Sequence, residues 1–273
     1  MTNQTEILTT PLELSFSAIE TYNQCPRKYY YNYVLRLPKG TWPWLVLGTF
    51  VHLALEKFHK YDIYFRKRNM PANHPELMKR AYLSAKRLYN RKLYVNQTIN
   101  PNFEITEEQL EKSKEILSHY LKKVTKNFPD TKYVERGFRL KIGDYIIRGF
   151  IDRIDKIGDN MYEVVDYKTS SKVADVNKTY QVAIYAYALK KLLGQEIKIK
   201  TKLDFIKLYK ESTGVYEDSQ ATLVEKYVID AGNAISKAKR EFKEESQWVY
   251  KENSFCKFCD FRGPCEASRD IFL

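Results

Sequence analysis

The order of patterns along this chain predicts an α/β fold of the α+β-like kind: a central mixed sheet containing an antiparallel meander, flanked by helices. Three observations carry that expectation. Apolar residues recur at helical spacing through most of the first 130 positions. Three strand-like runs follow, parted by Gly143-Asp144 and by Gly158-Asp159-Asn160. A helical stretch and one more strand-like run come after them.

The elements can be justified in order. Ser17-Ala18-Ile19-Glu20 has the form of a capping box and starts a short helix. Cys25-Pro26 interrupts it, because proline disfavours helix in the residue before it and tolerates the first turn after it. A second helical stretch, Arg27 to Val34, carries the run YYYNYV, and a loop with Pro38, Gly40 and Pro43 follows. Gly48 to about Arg68 is helical, with Phe50, Val51, Leu53, Ala54, Leu55 and Phe58 on a broad apolar face. Two more amphipathic helices span about Pro75 to Tyr94 and, from the capping box Thr106-Glu107-Glu108-Gln109, to about Asn127. The meander comprises Tyr133–Ile142, Tyr145–Ile157 and Tyr162–Thr169. A helix from about Asn177 to Leu193, closed by Gly194, precedes a strand from Lys198 to Tyr209. A short hairpin around Ser212-Thr213-Gly214 leads to a last helix, about Asp230 to Glu245. No repeat or long linker divides the chain. It reads as one domain over 1–273, with a helical part (about 15–130), a core (about 131–246) and a cysteine-bearing segment (about 252–273).

Hydrophobic residues make up 44% and charged residues 29%, the balance of a soluble globular protein. No run is apolar enough for a membrane span and the first residues lack a signal peptide's apolar core, so a cytoplasmic protein without a membrane partner is expected. The net charge of +12 favours a polyanionic partner, nucleic acid first. The 22 tyrosines could stack on bases, although most belong in a core. No G-x-x-x-x-G-K followed by Ser or Thr occurs, which excludes an ATP-driven motor of that kind.

The chemistry concentrates in Arg148 to Ser170. If the three turn residues are the loop, positions whose numbers sum to 318 face each other, and Asp152 sits opposite Asp166. Lys168, two residues on, shares the face of Asp166. Opposed carboxylates repel, which makes them poor sheet material and good ligands for a divalent cation. The same residues would serve equally as the solvated face of an ordinary hairpin, and a bulge would shift the register. His52, Glu56 and His59 form a stripe on the third helix that could ligate a metal or be partly buried polar surface.

The four cysteines are Cys25, Cys256, Cys259 and Cys265. CxxC with a third cysteine close behind, joined by Cys25 from the other end, suits a structural zinc or an iron–sulfur cluster. One solitary ligand, where zinc ribbons offer two close pairs, leans towards iron–sulfur.

Six segments in this order, LSFSAIETYNQCPRKYYYNYV, LGTFVHLALE, GFIDRID, VVDYKTS, QVAIYAY and CKFCDFRGPC, resemble the PD-(D/E)XK nuclease superfamily. The resemblance is to its RecB-type branch, whose members carry a cysteine-bound iron–sulfur cluster, as in AddB-like nuclease domains and CRISPR-adaptation nucleases. It covers nearly the whole chain and implies a restriction-endonuclease-like core. It implies Asp152, Asp166 and Lys168 as catalytic residues, and His52, Asp152, Asp166 and the Tyr167 carbonyl as ligands of Mg²⁺ or Mn²⁺. It implies a 4Fe–4S cluster on Cys25, Cys256, Cys259 and Cys265, with Gln181 and Tyr185 supporting the site or touching DNA, and Glu135 as a further acidic candidate. The implied activity is metal-dependent hydrolysis of DNA, on ends or single strands, in repair, recombination or defence. Any unwinding would come from a separate helicase. The other reading is a non-cleaving subunit that binds DNA ends or scaffolds a helicase or integration complex.

Overall fold

The computed structural model describes residues 11–39, 42–95 and 105–266; Gly40 of the expected loop and both ends of the expected single domain lie outside them. The elements are β1 (Glu13–Leu14), α1 (Phe16–Gln24), α2 (Pro26–Tyr29) running into a π-helical turn (Tyr30–Val34), α3 (Pro43–Arg66), α4 (His74–Val95), α5 (Glu107–Val124), β2 (Thr131–Ile142), β3 (Tyr145–Gly158), β4 (Met161–Tyr167), α6 (Tyr180–Leu193), β5 (Lys198–Phe205), β6 (Lys210–Tyr216) and α7 (Gln220–Glu241). The six strands form one sheet in the order β1-β3-β4-β5-β6, with β2 also on β3. β1 runs parallel to β3 and β4 to β5, whereas β3–β4 and β5–β6 are antiparallel, so the sheet is mixed. Parallel neighbours need a crossover, and α6 supplies it between β4 and β5.

The chain divides into two compact units. One comprises Met1–Pro38, Phe138–Gly149 and Ala221–Leu273; the other comprises Lys39–Gly137 and Phe150–Gln220. In the second, α3 buries Phe50, Val51, Ala54, Leu55 and Phe58 against α4, α5 and the β4 residues Val165 and Tyr167. α5 is closed at its start by the expected capping box of Thr106 and Gln109.

In the first unit, α7 buries Val224, Val228, Ala231, Ile235 and Ala238 at helical spacing. Segments distant in sequence meet there: Arg27 donates to the Trp248 carbonyl (2.6 Å) and pairs with Glu245 (2.8 Å), and the Tyr31 hydroxyl donates to the same Glu245 (2.5 Å).

Several expected boundaries are corrected. The first N-cap is Ser15, whose hydroxyl accepts from the Ala18 amide (3.2 Å), and not Ser17. α3 begins at Pro43, because proline suits the first helical position and Trp42 before it is extended. The β5–β6 turn occupies residues 206–209, where Tyr209 takes φ +56 without a glycine to announce it, and Ser212-Thr213-Gly214 lie inside β6. The last helix starts ten residues earlier than expected. Gly232, read as near its start, is mid-helix, where the Tyr145 ring leaves no room for a Cβ (2.4 Å).

Candidate active site

Arg153↔Val165, Ile154↔Val164, Asp155↔Glu163 and Lys156↔Tyr162 are paired, and each pair sums to 318. The next step outward is Asp152 beside Asp166. The turn itself differs from expectation: Gly158 pairs with Met161 across a register shift, so the turn is Asp159-Asn160 and the bulge absorbs the extra residue. Because the shift is confined to the turn end, the register is kept as far as Arg153↔Val165, the step before the carboxylates.

Asp152 Oδ2 accepts the Tyr167 amide (2.8 Å) and lies 3.6 Å from His52 Nδ1. Lys168 Nζ lies 2.7 Å from Asp166 Oδ2 and donates to Gln181 Oε1 (2.6 Å), and Gln181 Nε2 donates to the Tyr185 hydroxyl (3.0 Å). The structure therefore brings together His52 from α3, Asp152 from β3, Asp166 from β4, Lys168 just beyond it, and Gln181 and Tyr185 one turn apart on α6. Gly48 makes the approach of α3 possible: a Cβ there would lie 2.7 Å from Thr169 Oγ1. Sequence reasoning did not single it out, although a glycine inside a helical pattern is a signal of close packing.

Glu135 sits on β2 with φ +50, a left-handed conformation that a strand adopts at a bulge. Its charge acts on the Tyr185 hydroxyl, as do those of Asp166 and Asp152. The His52–Glu56–His59 stripe does not form a site. Glu56 pairs with Lys57 (3.1 Å) and Lys60 (2.7 Å), and His59 is fully buried on hydrogen bonds of its own.

Burial pushes Asp152 up to about 6, against the pull of the Tyr167 amide, Lys168 and Arg153. Burial and the neighbouring Asp152 push Asp166 up to about 6, against Lys168 and His52. His52 is lowered, chiefly by burial, which leaves its imidazole neutral with a lone pair to offer. Tyr185 is raised by burial and then by Asp166.

The family model of the PD-(D/E)XK nuclease superfamily matches residues 13–266. The chain belongs to the PD-(D/E)XK nuclease superfamily. Local similarity links it to larger enzymes: one of the subunits of an ATP-dependent helicase/deoxyribonuclease from Streptococcus equi subsp. zooepidemicus (strain MGCS10565) is 42% identical over 62 residues, 20% of this chain and 6% of that protein. The like-named protein from Streptococcus pyogenes serotype M6 is 38% identical over 69 residues, 23% of this chain and 6% of that protein. The chain thus matches only a small part of these relatives' length. Among solved structures, SSO0001 aligns over 94% of this chain and 86% of its own with a TM-score of 0.42 and 14% identity. A candidate exonuclease from Eubacterium rectale aligns over 94% and 87%, with a TM-score of 0.49 and 10% identity.

Nucleases of the PD-(D/E)XK superfamily use divalent metals, and the residues here can be tested for fit. Among the described residues no group of three or more His, Cys, Asp and Glu side chains is arranged to hold a metal ion. A magnesium-type ion does not need such a cage, since one or two carboxylates with water and substrate phosphate suffice. Asp166 Oδ2 is buried and already paired with a cation, the Lys168 ammonium at 2.7 Å. A buried oxygen in that state, beside a second raised carboxylate, fits a cation ligand. His52, Asp152, Asp166 and the Tyr167 carbonyl are the groups that would hold it.

The four cysteines, all in the first unit, are partly exposed and in no disulfide, and all four line one pocket with Tyr31 and Phe261. The Lys251 amide donates to Cys25 Sγ (3.5 Å) and the Asn253 amide to Cys256 Sγ (3.4 Å). No three of them converge as a single tetrahedral ion requires.

Proposed function

We propose that this protein is a metal-dependent deoxyribonuclease of the RecB-type branch, acting as an exonuclease on DNA ends or single strands. The observation that carries this is the clustering of Asp152, Asp166 and Lys168 with His52 and the Gln181–Tyr185 pair within a chain of nuclease ancestry. A bound Mg²⁺ or Mn²⁺ supplies Lewis-acid neutralisation of phosphate charge and a more acidic water. The chain's own residues do the rest. Asp152 and Asp166 fix where positive charge sits, and the Tyr167 amide fixes Asp152. Lys168, aimed by Asp166 and by Gln181, places an ammonium where the attacked phosphate builds negative charge. Tyr185 orients Gln181 from the next turn. The basic surplus of +12 guides the polyanion in.

The test is cleavage of end-labelled linear and circular single strands with Mg²⁺ or Mn²⁺. Metal-dependent release of nucleotides from linear strands only is expected. Tight DNA binding with no cleavage under any divalent ion would favour the end-binding or scaffolding reading. A helicase partner belongs to the same proposal, supported by the names of the local relatives.

At the cysteines we propose a structural 4Fe–4S cluster rather than zinc. Support comes from four sulfurs lining one pocket, with backbone amides donating to two of them. An anaerobic preparation is expected to be brown and to contain about four iron atoms per chain. Cys25→Ser is expected to lose the colour and lower Tm, because the cluster joins Cys25 to the C-terminal trio. A colourless protein with zinc and no iron would overturn this.

A further inference from the structure

Behind the carboxylates, Arg153 is buried to 3% exposure, an unusual place for a guanidinium. Strand alternation explains the direction it takes: Asp152 points to one face of β3 and Arg153 to the other. Its Nε donates to Asp155 Oδ2 (3.0 Å), and its NH1 donates to the hydroxyls of Tyr167 (2.7 Å) and Tyr120. Tyr120 and Tyr167 hydroxyls are 2.9 Å apart, His59 Nε2 is 2.5 Å from Tyr120, Thr131 Oγ1 is 3.3 Å from His59 Nδ1, and Thr131 donates to Asp155 Oδ1 (2.8 Å).

One proton assignment satisfies every member. The Thr131 proton goes to Asp155, so His59 donates through Nδ1 to Thr131 and its bare Nε2 accepts from Tyr120. The Tyr120 oxygen then accepts from Tyr167 and Arg153. The result is a closed hydrogen-bonded ring joining α3, α5, β2, β3 and β4, electrically balanced by one guanidinium and one carboxylate. His59 is held well below its ordinary value by burial and by Arg153, as a neutral member requires.

We propose that this ring, through Arg153 and the Tyr167 hydroxyl, is the positioning device for the carboxylate pair. Tyr167 is the link because its side chain belongs to the ring while its amide holds Asp152 from between Asp166 and Lys168. The His52 ring also rests edge-on against it, with centroids 5.8 Å apart. Fixing the phenol from behind therefore fixes the peptide that sets the spacing of the acidic groups. The Arg153 guanidinium and the Tyr167 hydroxyl act through Asp152 and touch no substrate. This rests on the nuclease reading for its activity readout and not for its binding readout.

Tyr167→Phe keeps the ring packing and deletes the hydroxyl, and Tyr120→Phe is the comparison. Tyr120 hydrogen-bonds to β4 through the Tyr167 hydroxyl, which Arg153 would still hold in Tyr120→Phe, and the edge contact of the two rings would stay. Both variants are expected to lower Tm by several degrees. Tyr167→Phe alone is expected to lower kcat about tenfold, with KM for DNA nearly unchanged, and to weaken Mn²⁺ binding without DNA by about tenfold in calorimetry. Equal loss of Tm with wild-type kcat and wild-type Mn²⁺ affinity in Tyr167→Phe would overturn the proposal. So would an equal catalytic loss in Tyr120→Phe. If the wild type binds Mn²⁺ and cleaves nothing, the nuclease reading fails while the calorimetric comparison still decides the positioning role.

Discussion

Asp152→Asn is expected to abolish cleavage and, at the same time, to raise the thermal stability of the metal-free protein. The two effects share one cause. Asp152 is largely withdrawn from water, and its folded pKa of about 6 lies above the ordinary carboxylate value. Between those two values the folded protein holds a proton that the unfolded chain has released, so stability falls as pH rises through the window. Above about 6 the deficit is complete and is on the order of 2 kcal/mol. Asparagine carries no charge, and its Oδ1 can still accept the Tyr167 amide that Asp152 Oδ2 accepts. Melts in EDTA should therefore show a gain of several degrees at pH 7.5 that shrinks on acidification and closes only below about pH 4. Activity should fall at least about 1000-fold, because the carboxylate is lost where the reaction needs it charged. Equal Tm for the two proteins at pH 7.5, or residual cleavage within tenfold of wild type, would sink the assignment. A site whose ionised groups destabilise its own fold is the usual signature of function carried at a cost in stability.

How much of this was legible beforehand follows from the range of each interaction. The hairpin register was, because a turn and two alternating strands are local, and a bulge beside the turn left the 318 pairing intact from Lys156 to Arg153. The link from Lys168 through Gln181 to Tyr185 was readable only as a motif, since a strand and a helix meet there across an intervening loop. His59 was misread. It shares a helix with His52, and spacing offers no means of knowing that Tyr120, Thr131 and Arg153 would gather around it from other elements. The one hint was Arg153 and Asp155 two apart on a strand, an opposite-charge pair on one face. That hint is weak because both faces of β3 are covered there, with Ile151, Arg153, Ile154 and Asp155 all buried. Helix starts failed for a related reason. Pro43 read as part of a loop, and its position in the first turn made it the start of a helix.

The second large effect is expected in metal binding. Asp152 and Asp166 are both held up to about 6, chiefly by burial, and both must be ionised to ligate. Below that value protons compete with the ion, and each competing proton weakens binding by up to about tenfold per pH unit. Mn²⁺ affinity measured without DNA should therefore rise on the order of 100-fold between pH 5 and pH 7 and level off above it. His52 adds little to the slope, because its pKa is lowered and the ring is already neutral over most of that range. Calorimetry in buffers of different ionisation enthalpy should find close to two protons released at pH 5 and almost none at pH 8. In Asp152→Asn the release should fall towards one, because Asp166 alone remains to titrate. Exposed carboxylates of ordinary pKa would have shed their protons by pH 5 and would give a flat profile. A flat profile would therefore place the ion elsewhere than on the buried pair. The same burial that costs the fold stability at neutral pH thus gives the pair its preference for a divalent cation over solvent. Cleavage should fade below pH 6 for that reason alone.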